Sequence, residues 1–159
     1  MGVDLSKIPM LARRGIEAEM VVRIMASASK LAGPEQARAI IEDAISSAAF
    51  SAGQSFAAKA PGGAPSLAHF AQVLDMWRMG DALDIADVRL DAQTLSFRVT
   101  RCGYVDLYRE LGLPADLPPL VSCSRDAAFA AGYSPRLTME RPQTIAKGSA
   151  YCGFIFRWT

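Results

Sequence analysis

Apolar side chains recur at helical spacing through the first eighty residues and alternate with polar ones through most of the remainder. From about Pro9 to Leu31 no proline interrupts the chain, and Leu11, Ala18, Val22 and Met25 fall on one face of a helix. Ile16, Met20 and Ile24 form a second apolar stripe. A helix with two such stripes is expected to pack on two sides, one within the domain and one against a partner subunit. Gly33-Pro34 stops this helix and starts the next, with Glu35 in the first turn. The second helix carries Ile41, Ile45, Ala48, Ala52 and Phe56 along one stripe. Gly53 inside it costs about 1 kcal/mol relative to Ala, which close helix packing would explain. PGGAP, residues 61–65, breaks the chain, and Ser66 caps a third helix with Leu67, Phe70, Leu74 and Trp77 inward.

From Ala82 the period changes to two. Leu83, Ile85, Val88 and Leu90 read as a strand with an irregularity, Asp91-Ala92-Gln93 as a turn, and Leu95, Phe97 and Val99 as a second strand leading to Cys102. A short helix from Tyr104 to Leu111 ends at Gly112. A loop follows over residues 114–119, then a helix from Cys123 or Ser124 to Ala131, closed by Gly132. Leu137 to Ile145 and Tyr151 to Trp158 make a final hairpin around residues 146–149. The expected fold is α+β: N-terminal helices packed on an antiparallel sheet made of two β-hairpins, with two short helices between them. At 159 residues one domain is expected, helical over 1–80 and built of hairpins and connecting helices over 82–159.

Composition narrows the function. An apolar share of 51% with 21% charge supports a packed core. A net charge of +1, with its basic residues scattered, argues against nucleic acid. No apolar run approaches the roughly 18 residues of a membrane span, so a soluble, cytoplasmic protein handling a small molecule is expected. Three cysteines, an odd number, argue against a secreted disulfide framework and suit a reducing compartment.

Those cysteines are the first candidates for chemistry. Cys123 lies where a loop meets an expected helix start, a place where amide groups and the helix dipole stabilise a thiolate. Asp126, one turn on, can orient water, and Arg125 is close in sequence. The same pattern also suits a small buried hydrophobe followed by a first-turn acid. Cys152 shares a strand face with Phe154, Phe156 and Trp158, which describes either a pocket wall or core. Cys102 ends a strand between Arg101 and Gly103. Three thiols raise the question of zinc, but no short paired spacing such as C-x2-4-C exists, and no metal or other cofactor is expected. His69, the one histidine, is expected on a partly exposed helix flank, so carboxylates must move protons. Glu17 falls between the two stripes of the first helix, one turn from Arg13, as a surface ion-pair partner or a buried acid. Arg98, Arg136, Arg141 and Arg157 lie along expected strands, and one facing a pocket can hold a carboxylate by two hydrogen bonds.

The stretches VTRCGYVDLYRELG, LVSCSRDAAFAAG and ERPQTIAKGSAYCGFIFRW, in that order and spacing, resemble the L-2-amino-thiazoline-4-carboxylic acid hydrolase family, and RRGIEAEMV is similar to the family's N-terminal helix. The resemblance implies opening of a cyclic amidine such as 2-aminothiazoline-4-carboxylate, or of a related lactam or lactone. Combined with the residue reading, it nominates Cys123, Asp126, Cys152 and Glu17 for the chemistry. It nominates Arg101, Cys102, Tyr104, Thr144 and Gly148 for substrate binding. Family members commonly carry Asp immediately after the last cysteine, where this chain has Gly153. That departure favours a second reading: a non-enzymatic ligand-binding or sensory domain, since domains of the 4-vinyl reductase type have a similar Cys- and Gly-rich end.

Overall fold

Gly33, with φ at +87°, separates two long helices, α1 (Met10–Ala32) and α2 (Pro34–Ala57), in a computed structural model that describes residues 7–159. Pro34 occupies the first turn of α2, where its missing N–H has no intrahelical partner to lose. Two short helices follow, α3 (Leu67–Phe70) and α4 (Val73–Trp77). Ser66 caps α3 as expected, its side chain accepting from the His69 amide at 3.2 Å. The single third helix of the sequence reading is therefore two.

Strands β1 (Leu83–Leu90) and β2 (Thr94–Cys102) form the first hairpin, with two irregularities in β1. Next come α5 (Gly103–Glu110), α6 (Ser124–Tyr133), β3 (Leu137–Glu140) and β4 (Cys152–Trp158). The four strands make one antiparallel sheet in the order β1-β2-β4-β3. β3 is shorter than the alternation suggests. Beyond Glu140 the chain leaves the sheet at Arg141-Pro142, where a proline has no N–H for the ladder, and closes through a 3-10 turn over Ile145–Lys147.

The sheet buries one face. Cys152, Phe154 and Phe156 on β4 and Leu95, Phe97 and Val99 on β2 are buried together with Phe70 and Phe129. A second buried cluster lies under α1, where Ala18, Ile41 and Ile45 meet Tyr104, Tyr108 and Leu120.

Helices α2 and α6 cross at backbone contact. A Cβ on Gly53 would stand 2.1 Å from the carbonyl oxygen of Phe129, and one on Gly132 would stand 2.1 Å from that of Phe50. Gly53 thus has the packing reason expected of it. Gly132 does not end α6, which continues to Tyr133; it lies inside the helix as the reciprocal half of the crossing. The tight crossing also decides the buried face of α2. Ala49 and Gly53 are buried with Ile41, Ile45 and Phe56, whereas Ala48 and Ala52 are exposed. His69 is buried rather than on an exposed flank, stacked on Phe56 with ring centroids 4.6 Å apart and with Nδ1 2.9 Å from the Tyr133 hydroxyl.

Candidate functional site

Between α1, α2, the start of α6 and the buried face of the sheet lies a cavity of about 230 Å³. It is lined by Cys102, Cys123, Cys152, Asp126, Glu17 and Tyr104 among the residues nominated from sequence. Trp77, Phe129 and Phe154 form apolar wall, Arg14, Arg125 and Arg141 pair with the two carboxylates, and Arg13 also lines the cavity. Ala48 and Ala52 of α2 are the exposed members of the lining, so the cavity opens beside that helix.

The backbone at Cys123 departs from the helix-start expectation. Pro119–Cys123 is a turn of π-helix that runs directly into α6, and Cys123 itself has helical angles, φ −65° and ψ −30°. The helical run begins back at Leu117 and passes through Pro118 and Pro119, so Cys123 lies inside it and not at the end where helix amides are free. A π turn slips the hydrogen-bond register and leaves carbonyls to be satisfied from elsewhere. Arg125 Nε donates to the Val121 carbonyl at 2.7 Å, and Arg141 Nη2 donates to that of Cys123 at 2.7 Å. The π turn therefore fixes two guanidinium groups at the cavity wall.

Each of those arginines also holds an acid. Arg141 Nη1 donates to Asp126, and Arg125 Nη2 donates to Glu17 at 2.8 Å, where Arg14 also donates. The Arg141 guanidinium lies 5.2 Å from the Phe154 ring centroid, and its Nε is buried without a partner. Arg13, by contrast, makes no side-chain ion pair among the described residues. Burial raises the Asp126 pKa from 3.8 to about 6, with Arg141 opposing the shift.

Burial also keeps the thiols protonated. It pushes Cys123 up to about 12, despite the pull of Arg141, and Cys102 up to about 11. Cys152 is raised for the same reason, and its sulfur accepts the Ile145 amide at 3.2 Å. Cys102, not Cys123, is the cysteine at a helix N-terminus. It occupies the N-cap position of α5 without a side-chain capping bond, and the Val105 and Tyr104 amides pull its pKa down without offsetting burial. Among the described residues no three His, Cys, Asp or Glu side chains come together as a metal-ligand set.

Three nominated residues stand outside the cavity. Arg101 is turned to the β1 edge, donating to Asp84 at 3.0 Å and to the Asp81 carbonyl at 2.7 Å. Thr144 is buried at the start of the 3-10 turn with its hydroxyl unpartnered. Gly148 closes that turn at φ +92°, a conformation that favours glycine. The Tyr104 hydroxyl donates to the Trp77 carbonyl at 2.9 Å, so its ring serves as wall. Gly153 pairs across the ladder with Arg98 and lines a groove on the opposite face of the sheet. The position where the family commonly carries Asp therefore faces away from the thiols.

Sequence reasoning left Arg14, Trp77 and the choice among four strand arginines unassigned. The signal for Arg141 was Pro142, which takes the chain, and the side chain before it, out of the sheet.

These features define an α+β domain with a thiol- and arginine-lined cavity, open beside α2, of a size for one small ring compound. The family model for L-2-amino-thiazoline-4-carboxylic acid hydrolase matches residues 13–156, and the chain belongs to that family. No curated protein matches it. Among solved structures it is similar to the phenol-responsive sensory domain of the transcription activator PoxR, determined with phenol. The TM-score is 0.54 at 8% identity, over 91% of this chain and 74% of that one, a likeness of fold. Among the described residues no helix is long and apolar enough to cross a membrane.

Proposed function

We propose that this protein hydrolyses a small cyclic amidine of the 2-aminothiazoline-4-carboxylate kind, or a related lactam or lactone, with water activated by Asp126. The observation that carries this reading is a half-buried carboxyl group in the cavity wall, with a pKa near 6 and an arginine fixing its orientation. Such a group is mostly ionised at neutral pH yet basic enough to take a proton from water. Water oxygen bonds to the ring carbon of the C=N or C=O group while Asp126 accepts the proton. The bond from that carbon to its ring heteroatom then breaks, and the heteroatom takes the proton from Asp126. Arg141 stabilises the ionised state before the step. Arg13 is free to hold a substrate carboxylate. A thiolate mechanism fits less well, because a thiol with a pKa near 12 is ionised in only about one molecule in 10⁵ at pH 7. In this reading Cys102, Cys123 and Cys152 shape the pocket, and Glu17 holds Arg14 and Arg125 in place.

The fold shared with a phenol-responsive sensory domain supports a second reading, a binding module without turnover. The deciding experiment assays 2-aminothiazoline-4-carboxylate and a panel of small lactams and lactones, with calorimetry on the same compounds. Turnover abolished by Asp126→Asn and retained in the three Cys→Ala variants supports the hydrolase. Binding of a panel member or of phenol with no turnover of any compound transfers the assignment to the second reading.

A further inference from the structure

We infer that the open face of α1 is the seat of a second copy of this chain, and that the dimer completes the wall around the cavity mouth. Ile16, Met20, Ile24 and Leu31 are 68%, 56%, 44% and 89% exposed, and their spacing puts them on one stripe of the helix. Contiguous exposed apolar surface of this kind marks an interaction site. The pattern of the stripe selects the partner. A two-fold interface requires a surface that matches itself when turned over. Ile16 and Ile24 lie at equal distances on either side of Met20, so an antiparallel pair of α1 helices sets Met20 against Met20 and each Ile16 against the other copy's Ile24.

The charges obey the same symmetry. Glu19 and Arg23 are exposed on one flank of the stripe, four residues apart, and neither makes an ion pair among the described residues. The two-fold that centres the apolar residues brings Glu19 of each copy opposite Arg23 of the other, within about 3 Å of level along the axis. A membrane surface would favour a uniformly basic flank, whereas this one sets Glu19 among Arg23 and Lys30, all exposed.

The stripe borders the site. Arg13, in line with Met20 at the N-terminal end of the stripe, and Glu17 at its edge line the cavity, whose exposed lining residues are Ala48 and Ala52 of the adjacent α2. A helix seated on Ile16 and Met20 therefore stands at the edge of the opening, and in the single chain that edge is water.

Sedimentation of the full chain reads the proposal directly. The wild type is expected at twice 17.1 kDa, and Met20→Lys at the monomer mass with unchanged circular dichroism. Glu19→Arg, a surface change that leaves the fold alone, is expected to weaken the dimer about tenfold or more by placing like charges together twice, and the swap Glu19→Arg/Arg23→Glu to restore it. A water-soluble aromatic disulfide reagent tests the cavity. Its reaction with the three thiols is expected to be several-fold faster in Glu19→Arg below its dimerisation constant and to return to the wild-type rate in the swap. A wild type that stays monomeric at every accessible concentration, a dimer that survives Met20→Lys, or a swap that fails to restore association overturns the interface. Thiol rates that do not follow association overturn the part of the proposal concerning the mouth.

Discussion

Arg141 holds Asp126 from a segment that has just left the sheet, donating to its carboxylate with one nitrogen and to the carbonyl of Cys123 with another. One guanidinium thus joins the β3 end, the π turn and the acid at the cavity wall. It offsets part of the desolvation that raises the Asp126 pKa, ahead of the smaller contributions of Arg14 and Arg125.

The pH profile of hydrolysis follows. With Asp126 as general base, kcat/KM is expected to rise with pH through about 6 and then level off. Replacing Arg141 with Met removes the largest of the three arginine charges that lower this pKa, so the rising limb should move to higher pH and the plateau should fall by roughly 10²-fold or more. Arg141→Lys should keep part of both. A limb that stays in place in Arg141→Met would detach the profile from Asp126.

Stability should carry the same signature with its own sign. The folded pKa of Asp126, about 6, lies above its unfolded value of 3.8. The contribution of this group is therefore complete below about pH 4 and is lost as pH rises through 6. Asp126→Asn lacks that titration. The difference in urea midpoint between variant and wild type should shift in favour of the variant between pH 4 and pH 7. A pH-independent difference would mean that the carboxyl titrates alike in both states.

The glycine crossing of α2 and α6 makes a structural prediction. Gly53→Ala and Gly132→Ala each place a methyl group 2.1 Å from a backbone carbonyl oxygen that cannot move without its helix. The gain in helix propensity, about 1 kcal/mol, should be outweighed, leaving a net loss of about 2 kcal/mol or more in chemical denaturation. A neutral or stabilising Gly53→Ala would show that the helices do not touch.

All three cysteines are free, and all three have raised pKa values. At pH 7 the native protein should react with iodoacetamide at least about tenfold more slowly than the urea-unfolded chain, with no preference for Cys123. Fast and selective labelling of Cys123 in the native state would return the nucleophile role to it.

Local rules were enough for the order of the elements. The Gly33-Pro34 break, the Ser66 cap, the change from helical to two-residue period near Ala82, and the alternation that sets Cys152 beside Phe154 and Phe156 all act within a few residues, and the structure keeps them. Pattern also exposed the second stripe of α1. Tertiary structure alone decided the rest. Gly132 reads locally as a helix stop, yet it is interior because α2 needs the space its missing side chain leaves. Cys123 reads as a helix start, yet a π turn extends the helix backwards through it, and burial, a property of the whole fold, raises its pKa. Arg101 and Arg141 look alike as strand arginines. One turns to Asp84 at an exposed edge and the other to Asp126 at the cavity wall, because side-chain direction at a strand end depends on where the chain goes next. The residue types needed for chemistry are legible in one dimension. Which of them share a cavity, and in what protonation state, depends on long-range packing and desolvation, which have no local signature.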